Sequence, residues 1–275
     1  MESNVKAEPA QSDNKIYVRG GIKDVCQSLW YFQNNPGKEY LVHTHNPDIK
    51  QFFDFYSCKN VHYYFYEDEE SHDKTVEEMI RDHATENQEN ITDVLKSFYC
   101  AYNFGFLQEE LSTSLIESFK EKKPIVGIHP FVSKFSSKMY KSFGIPDITI
   151  PHDVLQEIIS DDFNYLIFGR EDELSKIDIK KQNVKMACYD DLLTTINLVK
   201  YCDKFIGTFS SFKTIAASQN ISTFCIMPLQ PISRGMEATF VDQYVKDGVM
   251  KVYKVENYDL EKDNFMLELN EFLKT

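Results

Sequence analysis

Long apolar runs are missing from this 275-residue chain. No stretch approaches the roughly 20 apolar residues that a membrane-spanning helix needs. No signal peptide is expected either, because residues 1–14 are polar and read as a disordered tail. Paired cysteines are also missing. Cys26, Cys58, Cys100, Cys188, Cys202 and Cys225 are scattered, with no C-x-x-C among them. Cys188, Cys202 and Cys225 lie in or near apolar runs, so buried reduced thiols and a cytoplasmic setting are expected, not a disulfide frame or a zinc site. Positive charge is short. Against 43 Asp and Glu stand 30 Lys and Arg, a formal net charge of −13. That opposes a generic nucleic-acid or anionic-membrane binder, because phosphate contact needs clustered cations.

Several chemical signatures are absent too. There is no G-x-S-x-G elbow, no G-x-x-x-x-G-K-[ST] phosphate loop and no G-x-G-x-x-G. No D-x-D triplet occurs, so a sugar nucleotide held through a metal in that style is not expected. His43 and His45 flank Thr44 at a strand exit. Two ligands without a third do not make a zinc site, and the pair is expected to line a polar cleft.

What the chain does have is apolar and aromatic material, 42% hydrophobic with 21 Phe and 16 Tyr. The length suits two domains of ordinary size. Strand-like and helix-like segments alternate. Strands are expected at 15–18, 39–42 and 61–66, with 43–46 as an exit loop, helices at 22–34 and 49–56, and a weak strand at 94–102. Residues 67–90 read as an acidic, solvated helical excursion, and 108–123 as a helix. After Pro124 the pattern restarts: strands at 125–129, 165–168 and 184–187, and helices at 153–160 and 190–201. The chain closes with a helix at 261–273, expected to pack back on the first domain. Such alternation is the pattern of parallel sheets. The expected fold class is α/β, two Rossmann-like domains facing a cleft, with the tail at 1–14, a first domain at 15–121 and a second at 122–275.

Residues 203–228, DKFIGTFSSFKTIAASQNISTFCIMP, carry the clearest local signal. They read as strand, tight turn, helix, strand. The turn Gly207, Thr208, Phe209, Ser210, Ser211 lies at the C-terminal edge of the sheet, where open α/β folds bind ligands. A helix start there offers N–H groups and a positive dipole end to a phosphate. Ser210 or Ser211 can bind that phosphate or cap the helix, and Lys213 can add charge. Two further groups follow strand ends. His129 and Pro130 lead into a loop with Ser133, Lys134 and Lys138. Gly169, Arg170 and Glu171 close another strand. Hydroxyls, lysines and a helix start suit a diphosphate, and an acid such as Glu171 suits a ribose diol. A solvated basic loop accounts equally well for the two lysines, and His129 can be an ordinary histidine at a strand end. In the first half, Arg19, Gly20 and Gly21 form a turn before Asp24. A carboxylate there can accept a proton, although an acid in the first helical turn also has a plain dipole role.

Taken together, these segments resemble the family 9 glycosyltransferases, the heptosyltransferase group with two Rossmann-like domains (the GT-B fold). RGGIKDVCQSLWYF is similar to the family's opening, with Lys23 in place of the usual glycine and Asp24 on the catalytic acid. IVGIHPFVSKFSSKMY is similar to the strand that ends in His-Pro and the loop that reaches the phosphate-binding lysine, here Lys138. Glu171 falls on the ribose-binding acid. CDKFIGTFSSFKTIAAS is similar to the diphosphate motif, but Phe209 replaces an Asp, Ser211 a Gly and Thr214 a His. The string Gly-Thr-Phe-Ser-Ser is closer to the diphosphate loop of fucosyltransferases that use GDP-fucose, although their His-x-Arg-Arg motif is missing. The resemblance implies an inverting, metal-independent transferase without cofactor. A nucleotide-sugar donor would sit on the second domain, and a glycan or glycoconjugate acceptor near Arg19, Gly20, Gly21, His43 and His45. A sugar-nucleotide epimerase or hydrolase, or a catalytically inactive binding module on the same fold, would share these features.

Overall fold

The structure is a computed structural model. It describes residues 15–17, 32, 37, 39–44, 50, 54, 58–67, 71, 114–132, 147–188, 197–229, 241–242, 244–256 and 258–275. The chain divides into two compact units, Met1–Tyr102 and Asn103–Thr275.

In the first unit, β1 (Lys15–Tyr17), β2 (Tyr40–Thr44) and β3 (Val61–Phe65) pair in parallel in the order β1-β2-β3. Tyr40, Leu41 and Val42 are buried, and the Phe32 ring lies 4.7 Å from that of Tyr40. β2 runs two residues further than its apolar core implies. His43 pairs with Tyr17 and Tyr64, and Thr44 with Phe65. These two residues are therefore ladder members and not the exit loop that their polarity suggested. The expected helix at 49–56 is represented by helical Lys50 and Asp54, while the helix at 22–34 has only Phe32 described and the strand at 94–102 lies outside the described residues.

The second unit holds a six-stranded sheet in the order β6-β5-β4-β7-β8-β9, every described pair parallel. Its strands are β4 (Ile125–His129), β5 (Asn164–Gly169), β6 (Val184–Cys188), β7 (Lys204–Thr208), β8 (Ser222–Pro228) and β9 (Met250–Val255). β5 is buried along its whole length, as expected of a strand covered on both faces. Among the described residues, the helices with both bounds described are α1 (Ser114–Glu117), α2 (His152–Ile158), α3 (Glu171–Leu174), α4 (Ser211–Ser218) and α5 (Tyr258–Lys274). The chain steps from β4 to β5 to β6 in one direction, then returns to β7 and continues to β9 in the other. Parallel crossovers are right-handed, so α2 and α3 lie on one face of the sheet and α4 on the opposite face. The step reverses between β4 and β7, the topological switch point of this sheet.

Three expectations need correction. The helix expected at 108–123 is, among the described residues, the single turn α1. The chain beyond it turns and bends on its way to β4, and there Asn164 donates to the carbonyls of Glu121 (2.8 Å) and Lys123 (3.5 Å), while the Asp203 carboxylate accepts from the Ile125 N–H at 2.7 Å. The closing helix α5 starts at Tyr258 and places its apolar face on its own sheet. Phe265 meets Phe224 at 6.0 Å and Tyr253 at 5.3 Å between ring centroids, and Lys262 bridges Asp153 and Glu157 of α2. Cys202 and Cys225 are buried as expected, but Cys188 at the end of β6 is exposed.

Candidate functional site

The switch point gathers the residues that the sequence marked in three separate segments. His129, the last residue of β4, stands in register with Gly207 of β7. Its ring is buried and stacks on Phe212 at 4.8 Å. Burial holds the imidazole down to about 4, well below its usual value. His129 is therefore a neutral ring at neutral pH and brings no positive charge to an anion. One step on, the Thr208 hydroxyl donates to the Phe131 carbonyl at 2.5 Å and ties the two strand exits together. Gly207 is small for packing. A Cβ there would sit 3.3 Å from Cβ of Lys213 and 3.2 Å from the Phe205 ring, so the glycine lets α4 lie close to its strand.

α4 starts on Ser210, in extended backbone (φ −134°, ψ 169°) at the N-cap position. Serine at this position normally accepts a hydrogen bond from an N–H of the first turn. Here the side chain makes no cap bond, its oxygen is buried at 8% residue exposure, and it has no hydrogen-bond partner. A buried hydroxyl without a partner carries a desolvation cost. Ser211 is the first helical residue. Lys213 is fully buried, with Nζ 4.5 Å from the centre of the Phe209 ring and 3.3 Å from the Thr214 hydroxyl. Its charge therefore lies inside the turn, against the aromatic residue that stands where the resembled motif has an acid.

The neighbouring strand exit is built differently. Arg170 caps α3, and Glu173 closes a capping box by accepting from the Arg170 N–H at 3.1 Å and its guanidinium at 2.9 Å. Asp172 lies 3.5 Å from the other side of the guanidinium. Glu171, the expected ribose acid, is exposed on the first turn of α3. Gly169 is needed because a Cβ would come within 2.6 Å of the Phe131 ring. Next to this exit lies a cleft of about 560 Å³ that includes Phe131, Leu155 of α2 and Ile177 beyond α3.

Thus the structure brings His129, Gly207, Thr208 and Ser210 together, with Gly169, Arg170 and Glu171 at the exit of the adjoining β5. Arg19, Gly20, Gly21, Asp24, His45, Ser133, Lys134 and Lys138 lie outside the described residues, as do the side chains of His43 and Ser211. Sequence reasoning passed over Phe131 and Phe212, the aromatic walls beside His129, and Glu173, the cap of α3. The available signals were an aromatic directly after His-Pro, and an acid three residues after Arg170, which follows the strand. Among the described residues no three His, Cys, Asp or Glu side chains are grouped as metal ligands, and no helix is long and apolar enough to cross a membrane.

No family model matches the chain, and no curated protein matches it. Solved structures do. ADP-heptose LPS heptosyltransferase II from E. coli superposes with a TM-score of 0.50 at 12% identity, over 88% of this chain and 90% of that one. A family 9 glycosyl transferase from Veillonella parvula DSM 2008 gives 0.50 at 9% identity, over 92% and 89%. This is the fold of a family 9 glycosyltransferase. The expected class, α/β with two Rossmann-like domains, is the one observed. At these identities the likeness is one of architecture, so chemistry rests on the residues themselves.

Proposed function

We propose that the chain is a glycosyltransferase. It moves a sugar from a nucleotide-sugar donor to a hydroxyl of a glycan or glycoconjugate acceptor, with inversion and without metal or other cofactor, in the cytoplasm. The observation that carries this reading is the buried, partnerless Ser210 hydroxyl at the start of α4, on the switch point of the sheet. A helix N-terminus with a spare hydroxyl is a ready anion site, and in open α/β sheets ligands occupy this crevice. The fold shared with an ADP-heptose heptosyltransferase supports the choice of a nucleotide sugar as that anion.

In this reading the donor diphosphate lies on α4, with Ser210 and Ser211 donating to it and Ser133, Lys134 and Lys138 as further donor-binding residues. Glu171, exposed at the adjoining exit, takes the ribose diol. Asp24 removes the proton from the acceptor hydroxyl as its oxygen bonds to the anomeric carbon. The bond from that carbon to the diphosphate breaks on the opposite side, and the nucleoside diphosphate leaves with the electron pair. Preorganised donors aimed at the leaving charge are usually the largest catalytic contribution.

The test is calorimetric titration with ADP, GDP, UDP and CDP, followed by donor turnover with and without a glycan acceptor, each in the presence and absence of EDTA. Binding of one diphosphate, turnover that needs acceptor, and indifference to EDTA are the expected results. Turnover without acceptor identifies a hydrolase or epimerase. Loss of turnover in EDTA, restored by manganese, refutes the metal-free reading. Phe209, buried beneath Lys213 where the resembled motif has an acid, favours a second reading as an inactive binding module. Diphosphate binding without turnover under any of these conditions would select it.

A further inference from the structure

The cleft of about 560 Å³ beside the β5 exit lies within the usual size of small-molecule sites. It shares a wall with the switch point. Phe131 lines the cleft, while its carbonyl accepts from the Thr208 hydroxyl at the β7 exit. The Phe131 ring is half-buried, packs over Gly169 and stands edge-on to His129 at 6.1 Å. Val132, Ile150 and Leu155 are buried beside it, so the floor is apolar. The charges at the mouth cancel, with Arg170 and Lys176 against Asp172 and Glu173. Such a cleft suits an uncharged, flat ring and not an ion. The two carboxylates differ in use. Glu173 caps α3 by accepting from the Arg170 N–H and guanidinium. Asp172 is exposed, lies 3.5 Å from the guanidinium and directly follows Glu171. An ionised carboxylate only accepts hydrogen bonds. Guanine is the common base that sets two donors side by side on one edge, N1–H and the 2-amino group. Adenine and cytosine place an amine beside an acceptor, and uracil places one N–H between two carbonyls.

We infer that the cleft is the base end of the donor site and selects guanine, with Asp172 as the residue that sets the choice. This inference rests on the nucleotide-sugar reading given above. The base lies against Phe131 and Leu155, and the Asp172 carboxylate accepts from N1–H and the 2-amino group. The ribose then falls at Glu171 and the diphosphate at Ser210, which keeps base, ribose and diphosphate in order along the sheet edge from β5 to β7.

The experiment is calorimetric titration of the full chain with GDP, ADP, UDP and inosine diphosphate, which is GDP without the 2-amino group. GDP should bind tightest, and inosine diphosphate about tenfold more weakly, for one lost hydrogen bond to a charged group. Asp172→Asn keeps the shape but turns an amide toward the donors. It should weaken GDP by about 10–100-fold and bring GDP and inosine diphosphate to equal affinity. Asp172→Ala should do the same. The side chain is exposed, and an unchanged melting temperature in both variants shows that the fold is intact. Ser210→Ala should weaken GDP and inosine diphosphate by the same factor, since it touches only the shared diphosphate. Tighter binding of ADP or UDP, or an unchanged ratio of GDP to inosine diphosphate in Asp172→Asn, overturns the choice of guanine and leaves the donor reading standing. Binding of no diphosphate removes both.

Discussion

Two strand-to-helix turns flank the β4 exit at the same edge of the second sheet, and they are finished in opposite ways. At the β5 exit the N-cap position of α3 and the Arg170 guanidinium are engaged. Glu173 answers both the backbone and the guanidinium of Arg170, and Asp172 approaches the guanidinium from its other side. At the β7 exit the N-cap hydroxyl of Ser210 is buried and answers nothing. The first arrangement stabilises a single turn of helix that would otherwise be too short to persist. The second forgoes a cap bond that is typically worth about 1 kcal/mol. A group left unsatisfied in one turn and fully satisfied in its neighbour marks where a partner from outside belongs.

The largest expected effect lies outside both turns. Asp24→Asn should lower turnover by about 10²–10⁴-fold, the usual contribution of a positioned acid or base, with nucleoside diphosphate affinity unchanged. Steady-state kinetics with a parallel titration checks this, and loss of diphosphate binding would move Asp24 into the donor site and blur the contrast. Next, Ser210→Ala should weaken diphosphate binding by about 10–100-fold, the worth of a hydrogen bond to a charged group, while the melting temperature holds. If instead it melts early and binds normally, the hydroxyl is structural and the two turns are alike.

The third test concerns acid. His129 is held at about 4 in the folded protein by burial, against about 6.5 in an unfolded chain. Between these values the unfolded chain binds more protons, so stability should rise with pH across that window and be lost as pH falls through it. The full effect is on the order of 3 kcal/mol by pH 4. Denaturant unfolding across pH 4 to 7 should show this slope, and His129→Gln should flatten it. The smallest effect belongs to the closed turn. Glu173→Ala should cost about 1 kcal/mol of unfolding free energy and leave diphosphate affinity unchanged. A binding defect there would show that the closed turn serves the ligand too.

Local pattern carried the sequence reading where local pattern decides structure. The 203–228 unit appears as β7, α4 and β8, because apolar runs broken by Gly207 and Ser210 leave no other arrangement. β9 escaped notice. Met250–Val255 reads MKVYKV, with Lys251 and Lys254 interrupting the run. It is a strand because it completes a ladder with β8, which is a non-local fact. α1 was over-extended for the converse reason. Residues 120–123 favour a helix by composition, but tertiary ties at Asn164 and Asp203 hold the chain out of a helix. At the site, the identity of the switch-point residues could be read from the sequence, whereas Ser210's lack of a partner could not, because that depends on what the rest of the turn leaves unfilled. The cleft had no local signature, since Phe131, Leu155 and Ile177 come from three separate segments.

The packing of α5 also sets an order of events during synthesis. β4, at the centre of the sheet, leaves the ribosome before its flanking strands, and β7 and β8 follow β5 and β6. Phe224 of β8 is fully buried, but the rings that enclose it are Tyr253 of β9 and Phe265 and Phe272 of α5. A nascent chain that has emerged only to Pro228 therefore presents one side of its sheet bare, with Phe224 on it. Such exposed apolar surface is where aggregation and chaperone capture act on partly made domains, so residues 250–274 determine when the second unit can leave that protection.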